Sequence, residues 1–120
     1  MEREVVMSAP DVFNVNLEDF EQQVIERSHS RCVLVDFWAD WCPPCIAIDP
    51  VLKQVIAEYN GRVVLAKIEV DEGENMKLAG RYQVRGFPTI LLIRNGEEIN
   101  RFSSMRSPVF VREFIDQHCA

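Results

Sequence analysis

Cys32-Val33-Leu34-Val35-Asp36-Phe37-Trp38-Ala39-Asp40-Trp41-Cys42-Pro43-Pro44-Cys45 decides the fold. Its first seven residues are nearly all apolar, β-branched or aromatic, the composition of a strand buried on both faces. Its last four residues open a helix. Proline suits the first helical turn, where amides lack intrahelical partners anyway. The stretch predicts a strand that delivers Cys42 and Cys45 to a helix N-terminus. Two thiols at this spacing exchange two electrons with a dithiol or disulfide partner. The partial positive charge and free N–H groups of a helix N-terminus favour thiolate on the thiol they meet. Cys42 is therefore the candidate nucleophile and Cys45 the candidate resolving thiol.

Before this stretch, Val12 to Val15 reads as a short strand. Asn16 then looks like an N-cap, with Asp19 completing a variant capping box. Leu17, Phe20, Val24 and Ile25 recur at helical spacing, which predicts a helix to about Ser28. After it, Ile48, Val51, Leu52, Val55, Ile56 and Tyr59 form an apolar helical stripe that ends at Asn60-Gly61, and Pro50 should kink it. Val63 to Val70 reads as a second central strand. Asp71 to Asn75 forms an acidic connection into a short helix holding Met76, Ala79 and Tyr82. Thr89 to Ile93 is a third strong strand, and Asn95-Gly96 signals a hairpin into a strand from about Glu98 to Phe102. Ser107-Pro108 starts a last helix with Phe110, Val111, Phe114 and Ile115 facing inward.

The order β-α-β-α-β-α-β-β-α predicts an α/β fold, with a central mixed sheet of about five strands flanked by about four helices. A strand at 32–38 then brings Cys42 to its carboxyl end, where open α/β sheets place their sites. The 120 residues are read as one domain, 1–120, with 1–10 as a flexible N-terminal extension lacking any clear period. Hydrophobic residues at 48% suffice for a core without disulfide staples.

The formal charge of -6 argues against a nucleic-acid partner, which would need a basic patch. No apolar run approaches the ~20 residues that span a bilayer, so no membrane partner is expected. The charged start Met1-Glu2-Arg3-Glu4 lacks a signal-peptide core, so the expected address is the cytoplasm. In that reducing compartment a Cys-x-x-Cys pair is catalytic or metal-binding rather than structural. A closed zinc site needs four ligands, and Cys32 and Cys119 have no partner close in sequence, so no metal is assigned. Those two are read as a small core hydrophobe and a surface thiol. His29 and His118 receive no role.

Asp36 interrupts an otherwise apolar strand, and burying a carboxylate without a partner is costly. It is the candidate proton acceptor for Cys45, directly or through water, with its pKa raised by desolvation. The competing reading is an Asp at a solvated strand edge, and the apolar residues on both sides argue against it. Trp38 is read as packing. Trp41 is read as an exposed apolar contact beside the nucleophile. Glu69, Asp71, Glu72 and Glu74 are read as a solvated loop and helix cap.

With these residues in place, the sequence resembles the thioredoxin family over roughly residues 12–118. Val35-Asp36-Phe37-Trp38-Ala39-x-Trp41-Cys42-x-Pro44-Cys45 is similar to its active-site signature with one change. Pro50, Ala66-Lys67 with Val70-Asp71, Gly86-Phe87-Pro88-Thr89 and Asn95-Gly96-Glu97 match further segments in the same order. The resemblance implies a reductase of protein disulfides with no bound cofactor, its redox group being a Cys42–Cys45 disulfide. It implies regeneration by a flavin- and NADPH-dependent thioredoxin reductase, and a monomer. It places Lys67 near Asp36 and makes Phe87-Pro88 a cis peptide. It implies a substrate surface of Trp41, Pro43, Pro44, Phe87, Pro88, Thr89 and Ser104.

Three departures bear on the chemistry. Pro43 replaces the family's usual glycine and removes an N–H beside Cys42. Ser104 stands where the family has a groove glycine, and Ile46 where it has a basic residue. Alongside the reductase, an oxidase or isomerase, a chaperone-like adaptor using Trp41, Phe87 and Pro88, and metal carriage by the two cysteines remain as alternatives.

Overall fold

The computed structural model describes residues 10–119; the N-terminal extension expected at 1–10 lies outside them except for Pro10. Strands β1 (Val12–Asn14), β2 (Cys32–Trp38), β3 (Val63–Glu69), β4 (Thr89–Arg94) and β5 (Glu97–Ser103) form one sheet in the order β1-β3-β2-β4-β5. β1 and β2 run parallel to β3, whereas β4 is antiparallel to both β2 and β5. Asn95 and Gly96 close the β4–β5 hairpin with φ of 53° and 81°, the paired left-handed residues that match the twist of the strands.

The helices are α1 (Pro43–Ala57), α2 (Met76–Arg81) and α3 (Pro108–Cys119). α1 continues through Pro50, and the chain turns away at Asn60 and Gly61, both at positive φ. The regular helix expected over 17–28 is instead a 3₁₀ turn at Leu17–Asp19, a π-helical stretch at Glu21–Glu26 and a 3₁₀ turn at Arg27–His29. Side chains compete for the backbone at both ends of this segment. Asp19 Oδ1 accepts from Asn16 N–H at 2.9 Å, while Asn16 Oδ1 accepts from Asn75 Nδ2 at 2.8 Å. Ser28 Oγ donates to Ile25 O at 2.6 Å and accepts from Gly96 N–H at 2.8 Å.

Strand alternation divides the core into two layers. Val33, Val35 and Phe37 of β2 pack with Phe20, Val24, Leu78 and Ala79. Leu34 packs on the other face with Ile48, Leu52 and Ile56 of α1 and with Val111, Phe114 and Ile115 of α3. β2 is buried from Cys32 to Phe37, as its composition predicts. Burial of each large aliphatic side chain stabilises by about 1.5–3 kcal/mol, so the central strand and α1 anchor the position of Cys42.

The reading of Cys32 and Cys119 as unrelated thiols is corrected. They form a disulfide that ties the first residue of β2 to the last turn of α3. Their separation of 87 residues hid the pairing, because the α3 crossing that joins them is a tertiary feature with no local signal.

Candidate active site

β2 ends at Trp38 and α1 begins at Pro43, and Cys42 is the extended N-cap between them. Pro43 and Pro44 fill the first two helical positions and offer no N–H. Cys45 supplies the first N–H of α1, which donates to Cys42 O at 3.0 Å and to Cys42 Sγ at 3.3 Å. This amide and the helix field favour negative charge on Cys42 once the pair is reduced. Cys42 and Cys45 are joined as a disulfide, with Cα atoms 5.3 Å apart. Both are nearly buried in this oxidised state. Their neighbours Trp41, Pro43 and Pro44 are exposed, so a partner meets the pair through this rim.

On β2, Asp36 is fully buried and neither carboxyl oxygen has a hydrogen-bond partner among the described residues. Burial pushes its pKa up; the Lys67 charge lowers it, Asp49 raises it again, and the result is about 7. Lys67 faces Asp36 in register across the β2–β3 ladder. Its ammonium bonds Asp49 of α1 and lies 4.6 Å from the centroid of the Trp38 ring. Asp49 also pairs with Lys53 at 2.9 Å. Burial pushes the Asp49 carboxyl up, but its bonds to Lys67 and Lys53 outweigh this and hold it below the usual range. Asp49 follows Cys45 by four residues and so shares its helix face. The result is a graded set of protons: a charged pair at Lys67–Asp49 and, next to it, a carboxyl poised to titrate near neutrality.

The rim is pinned from a second loop. Trp41, 62% exposed, donates its indole Nε1–H to Asp71 Oδ2 at 2.7 Å. Its ring meets Phe87 edge-on, with centroids 6.1 Å apart. The Phe87-Pro88 peptide is cis, as the resemblance implies. Thr89 Oγ1 donates to Gly86 O at 2.6 Å, closing this loop, and Ser104 N–H donates to Pro88 O at 3.2 Å. Ser104 adopts φ of 75°, a left-handed conformation that L side chains rarely adopt. Burial, with Asp40, Glu72 and Asp71 nearby, holds the Glu69 carboxyl above its usual range, so this side of the rim is acidic.

Two residues escape the sequence reading. Asp49 reads as an ordinary charge on α1, and only its four-residue step from Cys45 hints at its place. Asp71 reads as loop, although it fixes the exposed indole.

Among the described residues no group of three or more His, Cys, Asp or Glu side chains is arranged to hold a metal ion. No helix among them is long and apolar enough to cross a membrane. A family profile described as Thioredoxin matches residues 11–117. The thioredoxin of Chlorobaculum thiosulfatiphilum is 34% identical over 106 residues, covering 88% of this chain and 94% of that protein. The thioredoxin of Thiocapsa roseopersicina is 43% identical over 86 residues, covering 72% and 90%. The thioredoxin of Staphylococcus aureus strain Mu50 is 34% identical over 107 residues, covering 89% and 97%.

Proposed function

The chain belongs to the thioredoxin family, and we propose that the residues around the carboxyl end of β2 divide its chemistry as follows. The protein is a thiol–disulfide oxidoreductase that reduces protein disulfides, and its redox group is the Cys42–Cys45 disulfide. In the reduced state Cys42 thiolate attacks a substrate disulfide. An Sγ–S bond forms, the substrate S–S bond breaks, and one substrate thiolate leaves. Asp36 takes the proton from Cys45, whose thiolate then attacks Cys42 Sγ. This closes the Cys42–Cys45 disulfide and releases the second substrate thiolate. Lys67 tunes Asp36. Trp41, Phe87, Pro43 and Pro44 offer an apolar rim to the substrate, and the backbone at cis-Pro88, held by Thr89 and Ser104, offers a strand edge.

The observation that carries this reading is the Cys45 amide aimed at Cys42 Sγ at 3.3 Å, at the N-cap of a 15-residue helix. Reduction of insulin disulfides under a dithiol reductant tests it. The wild-type chain is expected to turn over and Cys42→Ser to be inactive; equal activity in both would refute the assignment of the nucleophile. We further assign regeneration to a flavin- and NADPH-dependent thioredoxin reductase. We assign the working form to a monomer in the cytoplasm, where the reducing poise keeps Cys42 available. Recycling of the oxidised chain by such a reductase with NADPH, and a single sedimenting species of monomer mass, are the corresponding checks.

A further inference from the structure

The Cys32–Cys119 disulfide lies at the opposite end of β2 from the catalytic pair. Six residue steps of strand separate Cys32 from Trp38, about 20 Å at 3.3 Å per residue. Cys42 and Cys45 lie beyond Trp38, so they cannot exchange with this second pair inside one chain. The two sulfurs differ in access. Cys32 is buried at the start of the central strand, whereas Cys119 is partly exposed in the last turn of α3.

A cavity of about 230 Å³ opens beside the pair, lined by Cys32, Cys119, Arg31, Arg62, Arg94 and neighbouring polar residues, with no acidic side chain among the described residues. A broader depression shares Arg31 and Arg62 with it and adds Arg27, with Asp11 as its acidic group. The partners of these guanidiniums among the described residues are neutral. Arg31 donates to Gly61 O at 3.3 Å, Arg94 donates to His118 O at 2.9 Å, and Arg62 lies 5.4 Å from the centroid of the Tyr59 ring. Arg31 adjoins Cys32 in sequence, and the Arg94 contact reaches the residue before Cys119. A chain of net charge -6 thus gathers three cations around one disulfide.

We propose that Cys32–Cys119 is a second thiol–disulfide exchange site, which accepts a small anionic monothiol of the glutathione class at Cys119. The incoming thiolate attacks the accessible Cys119 Sγ. A bond forms between the two sulfurs, the Cys32–Cys119 bond breaks, and Cys32 leaves as a thiolate that the guanidiniums favour. A second monothiol thiolate then attacks the sulfur of the bound monothiol, releasing the monothiol disulfide and Cys119 thiolate. Two monothiols are oxidised and one protein disulfide is reduced, so the electrons balance. The arginines select the thiol by charge, and opening the bond unties α3 from β2.

The test uses the full chain with Cys42→Ser and Cys45→Ser, oxidised at Cys32–Cys119, so that only the second pair reacts. Glutathione and the neutral thiol 2-mercaptoethanol are compared at equal thiolate concentration, with intact-mass and peptide-mapping readouts. The expected result is a mixed disulfide on Cys119 that forms about tenfold faster with glutathione, the size that three weak exposed ion-pair contributions give together. In Arg62→Gln with Arg94→Gln the advantage is expected to fall to about twofold or less, with insulin reduction by the same arginine changes in the otherwise wild-type chain unaltered. The ratio of the two rates in the unaltered arginine background is also expected to shrink with added salt, which keeps the test independent of the arginine variants folding. Modification at Cys32, no adduct with either thiol, equal rates for the two thiols, or a ratio indifferent to salt would each overturn the proposal.

Discussion

Asp36 and Lys67 face each other in register across β2 and β3, yet the Lys67 ammonium bonds Asp49 and leaves both Asp36 oxygens without a partner among the described residues. A lysine opposite a buried carboxyl would ordinarily hold it ionised. Here α1 supplies a competing carboxylate one turn beyond Cys45, so burial dominates at Asp36 and its pKa reaches about 7. The position of one ammonium thus sets the pH at which the resolving thiol has a base.

Asp36→Asn separates stability from catalysis. The folded Asp36 value of about 7 lies above the ordinary 3.8, so the folded chain holds an extra proton between those two values. Stability therefore falls as pH rises through that window and levels off above it. The variant removes this penalty. It is expected to be more stable than wild type at pH 8, by up to about 4 kcal/mol, and to gain little at pH 4. Denaturant melts at the two pH values check this, and an equal gain at both would contradict it. In the same variant the rate of mixed-disulfide resolution is expected to lose its inflection near neutrality, in single-turnover measurements from pH 5 to 9.

Asp49→Asn removes a negative charge and frees Lys67 for Asp36. Both effects lower the Asp36 pKa, in agreement with the sign of each contribution. The resolution step is then expected to reach its plateau at lower pH and to run severalfold faster at pH 6, with little change at pH 9. If Asp49 itself carried the proton, the variant would instead be slow at every pH. The same pH–rate profile distinguishes the two.

Asp71→Ala tests the indole clamp. The bond from Trp41 Nε1–H to the Asp71 carboxylate is exposed at 2.7 Å, and such a bond is worth about 1 kcal/mol. Its loss releases the ring that meets Phe87. The KM for insulin is expected to rise about fivefold with kcat nearly unchanged, and the melting temperature to stay within about 2 °C, the small effect of a surface change. A fall in kcat at constant KM would mean that Asp71 acts on the sulfur chemistry instead.

The strands, the helix opening at Pro43, the hairpin at Asn95-Gly96 and the buried carboxyl at 36 were legible because each has a local cause: β-branched runs, a proline at a helix start, residues that tolerate positive φ, a charge among apolar neighbours. What was not legible depends on where distant segments meet. Asp49 acquires its role only because α1 packs over the face of β3 that carries Lys67. Asp71 does so because the loop after β3 reaches Trp41, and Cys119 because α3 ends beside the start of β2. The irregular winding between Leu17 and His29 likewise follows from partners at Asn75 and Gly96, far along the chain.

Cys119→Ser measures the staple. Closing a loop between residues separated by 87 positions restricts the unfolded chain, and the entropy estimate for such a loop is about 4.6 kcal/mol. Native disulfides of this kind deliver about 2–5 kcal/mol. The variant is expected to lose that amount in denaturant melts while its Cys42–Cys45 pair stays oxidised. An unchanged midpoint would mean that the α3 packing through Val111, Phe114 and Ile115 already fixes the helix without the bond.

Ser104→Gly addresses substrate scope. Ser104 holds φ of 75° while its N–H bonds Pro88 O at 3.2 Å, so the serine bears the strain of a position suited to glycine. A left-handed L residue costs roughly 1–2 kcal/mol, and the greater freedom of an unfolded glycine gives back part of that relief. A net gain of about 0.5–1 kcal/mol is expected in denaturant melts. The hydroxymethyl group also stands beside the cis-Pro88 edge, where a substrate backbone would pair. Removing it is expected to lower the KM for insulin more than the KM for a small disulfide peptide, because only the larger substrate needs the full width of the groove. Equal changes for both would show that Ser104 affects the stability of the loop and leaves selection to Trp41 and Phe87.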